Sequence, residues 1–191
     1  MTVAGIVLAG GQSSRFGKPK MFELYKGKYF YEYSIDALKG LTPIIISTNR
    51  QFSTSFKTSN DILILEDEHD YKGPLHALYH ILTQMPDTEW FFVLTCDVPF
   101  ITSQYVHELL SYTKDSIFDA IVPNESGMLQ PLLALYHRRC LPQLETLTLQ
   151  NKNSMKALLD VLNVQTVPFS TQKVFTNINS KEEWQKYMSN P

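Results

Sequence analysis

The residues that could do chemistry in this sequence are concentrated in one stretch, residues 6–20, which reads IVLAGGQSSRFGKPK. A short apolar run turns there into two adjacent glycines and then into three cations, Arg15, Lys18 and Lys20. Backbone N–H groups that glycines leave uncovered, placed beside cations, bind a multiply charged anion such as a triphosphate. The stretch is therefore predicted to be a nucleotide phosphate loop, the alternative being a plain strand-to-helix turn with solvated lysines.

Three better-known motifs do not match this stretch. A Walker loop needs Gly where Gln12 stands and a hydroxyl where Pro19 stands. The dinucleotide fingerprint fails because Gly10 and Gly11 are adjacent. A nucleophile elbow fails because Arg15 takes the place of its second glycine. The Ser13 hydroxyl is therefore expected to donate a hydrogen bond to phosphate rather than to attack a substrate.

A second chemical feature is the carboxylate of Asp97, which follows the most apolar run of the chain, WFFVLT at 90–95. A carboxylate at the end of a buried strand is costly to desolvate unless a cation meets it. Mg²⁺ binds through one or two carboxylates together with substrate phosphates and water, so Asp97 is the predicted metal ligand. Capping of a turn, or pairing with Arg15, is the alternative.

The elements that must position these groups alternate between strands and helices. Strands are predicted at the apolar runs ending near residues 9, 47, 65, 95, 123, 136 and 167, and helices at about 29–39, 74–85, 103–110, 139–150, 154–162 and 180–188. This order predicts an α/β fold, a Rossmann-like three-layer α/β/α sandwich with a mostly parallel sheet and an antiparallel edge addition, in one domain spanning 1–191. Ligands of such sheets bind outside the carboxyl ends of the strands, so the loops 10–20, 66–72 and 96–100 should share one crevice.

Bulk properties limit the class of protein. The chain has 191 residues, 43% hydrophobic and 19% charged, with a net charge of −2, which argues against a general nucleic-acid binder. No stretch approaches the roughly 20 apolar residues of a membrane span, and no export signal opens the chain. The two cysteines, Cys96 and Cys140, are therefore expected to be reduced thiols of a cytoplasmic protein.

Several motifs, taken in order, resemble those of the molybdenum cofactor guanylyltransferases. They are LAGGQSSRFG at 8–17 with Lys20, Glu66-Asp67, Gly73-Pro74-Leu75, Cys96-Asp97-Val98-Pro99, and Asn177-Ile178-Asn179-Ser180. The resemblance covers essentially the whole chain. It implies a reaction of GTP with molybdopterin, assisted by Mg²⁺, that gives the guanine dinucleotide cofactor and pyrophosphate.

The resemblance also implies a role for individual residues. GTP would be bound by Leu8, Ala9, Gly10, Gly11, Lys20, Asp67 and Asp97, with Asp97 holding the metal and Lys20, Arg15 and Asp97 supporting the transfer. The pterin substrate would face Arg15, Gly17, Asn177 and Asn179. The resemblance allows transient contacts with proteins that transfer or insert the cofactor, and a monomer or weak oligomer.

The chain departs from the family pattern at two places. Ser47 stands where some members have an Asn that contacts the nucleotide, which shortens or removes that contact. Asn153-Ser154 stand where some members have two arginines, leaving Lys152 or Lys156 as the only cations to replace them.

Other activities stay open at this point. A related nucleotidyltransferase could use CTP on molybdopterin or act on a sugar or polyol phosphate, and a non-catalytic nucleotide sensor could share the loop. His76 and His80 form half of a zinc-protease pattern, but Ala77 replaces the required Glu and no third ligand is evident, so packing or surface histidines are expected instead.

Overall fold

The computed structural model describes residues 1–11, 19–57, 59–67, 72–114, 116–170, 173–178, 180 and 182–185. Within these ranges the strands are β1 (Val3–Leu8), β2 (Leu24–Tyr25), β3 (Lys28–Tyr29), β4 (Ile44–Thr48), β5 (Ile62–Glu66), β6 (Trp90–Thr95), β7 (Ala120–Glu125), β8 (Met128–Leu129), β9 (Leu135–His137) and β10 (Val164–Phe169). The α-helices are α1 (Phe30–Ala37), α2 (Pro74–Gln84), α3 (Ser103–Leu110), α4 (Leu141–Leu149) and α5 (Met155–Leu159). The predicted site residues Arg15, Gly17 and Asn179 lie outside the described residues.

A mixed sheet of eight strands forms the centre of the molecule, in the order β10-β7-β9-β6-β1-β4-β5, with β8 paired to β7. The strands β5, β4, β1 and β6 are mutually parallel, and β10 is parallel to β7. β1, β4 and β6 are buried along nearly their whole length. Continuous apolar runs are typical of parallel strands that helices cover on both faces, which is why the sequence predicted them so clearly.

The antiparallel addition consists of β9, which pairs with both β6 and β7, and the short β8. The apolar run 132–136 was predicted to be a strand, whereas β9 begins only at Leu135. The strand starts late because the Leu133 N–H donates to the Gln130 carbonyl, 3.1 Å away, and closes a turn. Ala134 nevertheless exchanges main-chain hydrogen bonds with Val93 of β6, at 2.8 and 3.2 Å.

The helices cover both faces of the sheet, which completes the predicted Rossmann-like three-layer sandwich. On one face α1 and α3 bury side chains such as Tyr31, Tyr105 and Leu109 against the sheet. On the other face α2, α4 and α5 contribute side chains such as Leu78 and Leu144. The fold class predicted from the sequence is confirmed.

Helix ends explain where the predicted helices begin and stop. α2 starts as predicted, with Gly73 at a φ of +91° immediately before Pro74, a combination that favours a helix start. Its far end is capped by Arg138, whose guanidinium donates to the carbonyls of Leu82 (3.1 Å) and Met85 (2.6 Å). Such carbonyls have no partner within the helix, so the arginine satisfies them.

Two predicted helices are shorter in the structure. α4 begins at Leu141 because residues 138–140 form a 3₁₀ turn in place of the predicted first helical turn. α5 ends at Leu159, after which the Val161 N–H bonds the Leu158 carbonyl and the chain tightens before β10. Among the helices described, none has the length and apolarity needed to cross a membrane.

The predicted capping box at Ser180 is present. The Glu183 N–H donates to the Ser180 hydroxyl (3.1 Å), and the Ser180 N–H donates to the Glu183 carboxylate (3.3 Å). The helical turn 182–185 that follows buries Trp184 edge-on against Phe30 of α1. The chain near residue 178 is thereby held against the carboxyl end of the sheet.

Candidate active site

The carboxyl ends of four parallel strands lie level with one another. Leu8 at the end of β1 pairs with Thr95 of β6 on one side and with Ser47 of β4 on the other, and Ser47 in turn pairs with Leu65 of β5. The loops that follow these strands therefore leave the sheet at the same height. A cavity of about 410 Å³ lies between them.

The cavity collects most of the predicted nucleotide-binding residues that the structure describes. It is lined by Leu8, Gly10, Gly11, Lys20, Ser47, Asp67, Gly73, Pro74, Ala77, Thr95, Cys96, Asp97 and Leu132. Ala9 is fully buried and does not line it; its N–H donates to the Ser47 carbonyl (2.8 Å) and so fixes the course of the loop. The prediction that loops from three strands share one crevice agrees with this arrangement.

Asn177, predicted to face the second substrate, is exposed. The next residue, Ile178, is fully buried, and its N–H donates to the main-chain carbonyl of Asp97 at 3.0 Å. The main-chain hydrogen bond of its neighbour Ile178 therefore holds Asn177 close to the end of β6. Asn177, predicted to face the pterin substrate, and Asp97, the predicted metal ligand, thus lie on adjoining segments.

Lys20 and Asp97 meet directly across the cavity. Lys20 opens a 3₁₀ turn at the end of the loop, Asp97 follows β6, and Nζ lies 2.5 Å from Oδ2. The two side chains are 16% and 13% exposed, so the pair is mostly shielded from water. Pairing of Asp97 with Arg15 was the alternative in the sequence; among the described residues it is Lys20 that makes the contact.

The other carboxylate oxygen of Asp97, Oδ1, is buried and has no hydrogen-bond donor within the described residues. A buried anionic oxygen without a donor is unfavourable, and a cation would satisfy it. The residues that the structure describes contain no group of three or more His, Cys, Asp or Glu that could enclose a metal ion. The donor set thus fits a hard cation such as Mg²⁺, which can rest on one carboxylate, substrate phosphates and water.

Asp67 stands opposite, held by Ser47. The Ser47 hydroxyl donates to Asp67 Oδ1 (2.8 Å), and the Asp67 N–H donates to the Thr48 carbonyl (2.9 Å). Asp67 Oδ2 lies only 2.8 Å from where a Cβ on Gly10 would stand. A side chain at position 10 would therefore force the Asp67 carboxylate to shift, although the φ of Gly10 is not one that favours glycine.

The remaining polar groups of the cavity do not favour covalent catalysis. Burial raises the pKa of the Cys96 thiol to about 12, and the neighbouring Asp97 carboxylate acts in the same direction. A thiol with such a pKa stays protonated and is a poor nucleophile. No histidine is among the described residues that line this cavity.

A second cavity of about 420 Å³ adjoins the first and shares Asp67, Gly73 and Ala77 with it. His76 and His80 both line it, and His76 Nε2 lies 3.0 Å from Asn153 Oδ1. Within the described ranges, the two histidines belong to no cluster of three metal-ligating residues. Lys152 and Lys156, the cations expected to replace the missing arginines, line neither cavity.

Sequence reasoning missed Asn49, which follows β4 and contacts the loop residue Gly10. The Thr48 hydroxyl donates to the Ala9 carbonyl (3.2 Å), and Asn49 Nδ2 donates to the Gly10 carbonyl (3.0 Å). The signal was present in the sequence, since three polar residues follow the apolar residues 44–46 at the end of β4 where ligands bind.

Comparison with known proteins gives concordant results. A family model described as the MobA-like NTP transferase domain matches residues 5–167. A probable molybdenum cofactor guanylyltransferase of Geobacillus sp. (strain WCH70) is 34% identical over 194 residues, covering 95% of this chain and 96% of the relative.

Solved structures show the same fold. Molybdopterin-guanine dinucleotide biosynthesis protein A from Archaeoglobus fulgidus superposes with a TM-score of 0.77 at 22% identity, over 96% of this chain and 95% of that one. Rv0371c of Mycobacterium tuberculosis H37Rv, crystallised in complex with manganese, superposes with a TM-score of 0.75 at 14% identity over the full length of both chains.

Proposed function

The chain belongs to the MobA-like NTP transferase family, and from that premise we propose that this nucleotidyltransferase transfers GMP from GTP to the terminal phosphate of molybdopterin, releasing pyrophosphate. The observation that carries the proposal is the cavity at the carboxyl ends of β1, β4, β5 and β6. It combines loop glycines, one cation and two carboxylates, which is the set of groups that binding and activating a nucleoside triphosphate requires. The name of the Geobacillus relative, a probable molybdenum cofactor guanylyltransferase, supports guanylyl transfer to a molybdenum cofactor.

Lys20 and the glycines provide the phosphate subsite. Gly10 and Gly11 bring uncovered backbone close to the ligand, and Lys20 supplies a positive charge on the same wall of the cavity. Arg15, whose position the structure does not describe, is proposed to add a further charge toward the acceptor. Neutralising phosphate oxygens lowers the repulsion between two anionic substrates, and each such contact contributes on the order of 10²–10³ in rate.

Asp67 is proposed to read the base. Its carboxylate lines the cavity and is oriented by the Ser47 hydroxyl. A carboxylate accepts hydrogen bonds only, and guanine offers the N1–H and N2–H₂ donors on one edge. Ser47, which replaces the Asn of some relatives, would then act through Asp67 rather than directly on the nucleotide.

Asp97 is proposed to hold a divalent cation through Oδ1, which has no donor in the described part of the chain. Rv0371c, which shares this fold, was crystallised with manganese, and this supports a divalent ion. When bound, such an ion neutralises phosphate charge and polarises the reacting phosphoryl group. Lys20 keeps the other oxygen, Oδ2, and so orients the carboxylate.

The transfer needs no general base. A terminal phosphate monoester has a second pKa of about 6 and is mostly dianionic at pH 7, so it can attack the α-phosphorus of GTP directly. One P–O bond forms to the acceptor oxygen, the bond to pyrophosphate breaks, and pyrophosphate leaves with the electron pair. The protein contributes alignment and charge neutralisation, which agrees with a cavity that has no histidine among its described lining residues.

The deciding experiment compares GTP, CTP and ATP, each with Mg²⁺, as protectants against thermal unfolding. A nucleotide present at 100 times its Kd adds about 2.7 kcal/mol to the free energy of unfolding. We expect GTP to protect most, and pyrophosphate to appear only when molybdopterin is added. Stronger protection by CTP, or no pyrophosphate with GTP and molybdopterin, would contradict the proposal.

A further inference from the structure

Three consecutive polar residues, Ser47, Thr48 and Asn49, end β4 and begin the loop after it. They are 2%, 0% and 1% exposed, which is unusual for polar side chains. Burying a hydroxyl or amide is costly unless it is hydrogen-bonded, so their partners indicate what the residues do. Ser47 donates to Asp67, Thr48 to the Ala9 carbonyl and Asn49 to the Gly10 carbonyl.

Asn49 acts on the part of the loop that lines the cavity. Its Nδ2 lies 3.0 Å from the Gly10 carbonyl oxygen. The C=O and N–H of a trans peptide point in opposite directions, so this bond also sets the direction of the Gly11 N–H. Positions 10 and 11 have no side chain and glycine adopts many backbone conformations, so a hydrogen bond from another segment is needed to fix the orientation of this peptide.

The oxygen of the Asn49 side-chain amide is buried at a cost in free energy. Asn49 Oδ1 is buried and has no hydrogen-bond donor within the described residues. It lies 3.3 Å from where a Cβ on Gly10 would stand, beside Asp67 Oδ2 at 2.8 Å. An unsatisfied buried oxygen costs free energy, and a group that is kept despite such a cost calls for a role elsewhere.

We propose that Asn49 is a positioning residue for nucleotide binding. By donating from Nδ2 to the Gly10 carbonyl, it holds the Gly10–Gly11 peptide in the orientation that presents the Gly11 N–H to the phosphates of the nucleotide. The inference rests on the proposed function in that its ligand is a nucleoside triphosphate, but it does not depend on which base is bound.

The test compares two replacements of different size. Asn49→Ala removes the amide, whereas Asn49→Asp keeps its size and shape but replaces the Nδ2 donor by an oxygen facing the Gly10 carbonyl. Nucleotide Kd is measured by calorimetry and nucleotide KM by pyrophosphate release. We expect both variants to bind the nucleotide about tenfold more weakly or worse, with an unchanged KM for the acceptor, because a donor to a backbone carbonyl is lost.

Thr48→Val is the matched control. Thr48 is equally buried in the same segment, but its hydroxyl holds the Ala9 carbonyl, and Ala9 does not line the cavity. We expect its nucleotide Kd to change by less than about twofold, because losing this upstream bond leaves the Gly10–Gly11 peptide held. Asn49→Asp binding the nucleotide as well as the wild type, or Thr48→Val weakening binding as much as Asn49→Ala, would overturn the proposal.

Two further measurements keep the outcome interpretable. If Asn49→Asp does not fold, Asn49→Ala and Thr48→Val are compared at a temperature at which both are folded, and equal nucleotide affinity of these two overturns the proposal. The nucleotide preferred by the wild type is determined first. If it is CTP, the proposed use of GTP fails, but the Asn49 comparison is made with CTP and keeps its meaning.

Discussion

Replacing Asp97 by Asn separates a catalytic role of the Lys20–Asp97 pair from a structural one. The substitution keeps the shape of the side chain and removes its charge. Lys20 Nζ, 2.5 Å from Oδ2, then faces a neutral amide inside a cavity where only 16% of the Lys20 side chain is exposed. The variant therefore loses the predicted metal ligand and the negative charge that Lys20 contacts at Oδ2.

The two consequences differ in size. At an effective dielectric constant of about 20, charges at such a distance attract by on the order of 5 kcal/mol. The variant recovers the desolvation cost of Asp97 but not that of Lys20, and residual water access screens part of the attraction, so we expect a loss of about 3 kcal/mol in the free energy of unfolding. Loss of the metal ligand should lower kcat by at least about 10²–10³, since electrostatic stabilisation of the transition state is removed.

The assay measures pyrophosphate release from GTP and molybdopterin at varied Mg²⁺, together with urea unfolding. The double variant Lys20→Met/Asp97→Asn also removes the buried Lys20 charge, so its stability should return toward that of the wild type while its activity stays lost. Full Mg²⁺-dependent turnover by Asp97→Asn would refute the reasoning. Recovery of activity in the double variant would do the same, because it would make the pair purely structural.

Three further outcomes are expected. Gly10→Ala should lower the unfolding temperature of the nucleotide-free protein, because its Cβ would lie 2.8 Å from Asp67 Oδ2. Gly11→Ala, whose Cβ meets no described residue within 4 Å, should leave that temperature unchanged, and equal effects of the two substitutions would contradict the close approach. Arg138→Met should cost about 1–3 kcal/mol in urea unfolding, with catalysis retained, because the cap on the α2 carbonyls is lost. Burial, and then the nearby charge of Arg139, lower the pKa of His137 in the folded protein. As pH falls below about 6.5, His137 is protonated in the unfolded chain before it is protonated in the folded one, so the free energy of unfolding decreases until the pH reaches the pKa of the folded state. His137→Asn should flatten that decline in stability scans between pH 7.5 and 5; an unchanged slope would contradict it.

The apolar runs carried enough information for the fold class. A strand buried on both faces must be apolar throughout, so 90–95 and 44–46 could be recognised without knowing their neighbours. The start of β9 could not be predicted, because the turn closed by Gln130 and Leu133 depends on a main-chain hydrogen bond that leaves no signal in an apolar run.

The candidate site divides in the same way. Gly10, Lys20 and Asp97 were found from residue type and from their place at strand ends, since the carboxyl ends of parallel strands meet at one edge of a sheet. The hydrogen-bond and ion-pair partners of these residues were not found from the sequence. Lys20 and Asp97, for example, are 77 residues apart and meet only because β1 and β6 pair in the sheet.

The sequence by itself determined that glycines, a cation and carboxylates follow buried strands, and this was enough to predict a nucleotide phosphate loop. Only the tertiary structure decided that Lys20 takes one oxygen of Asp97 and leaves the other without a donor among the described residues, and that Asn49 holds the Gly10 carbonyl. The physical reason is that residue type and local spacing can be read along the chain. The distance between two side chains on different loops depends instead on how the strands that carry those loops pair in the sheet.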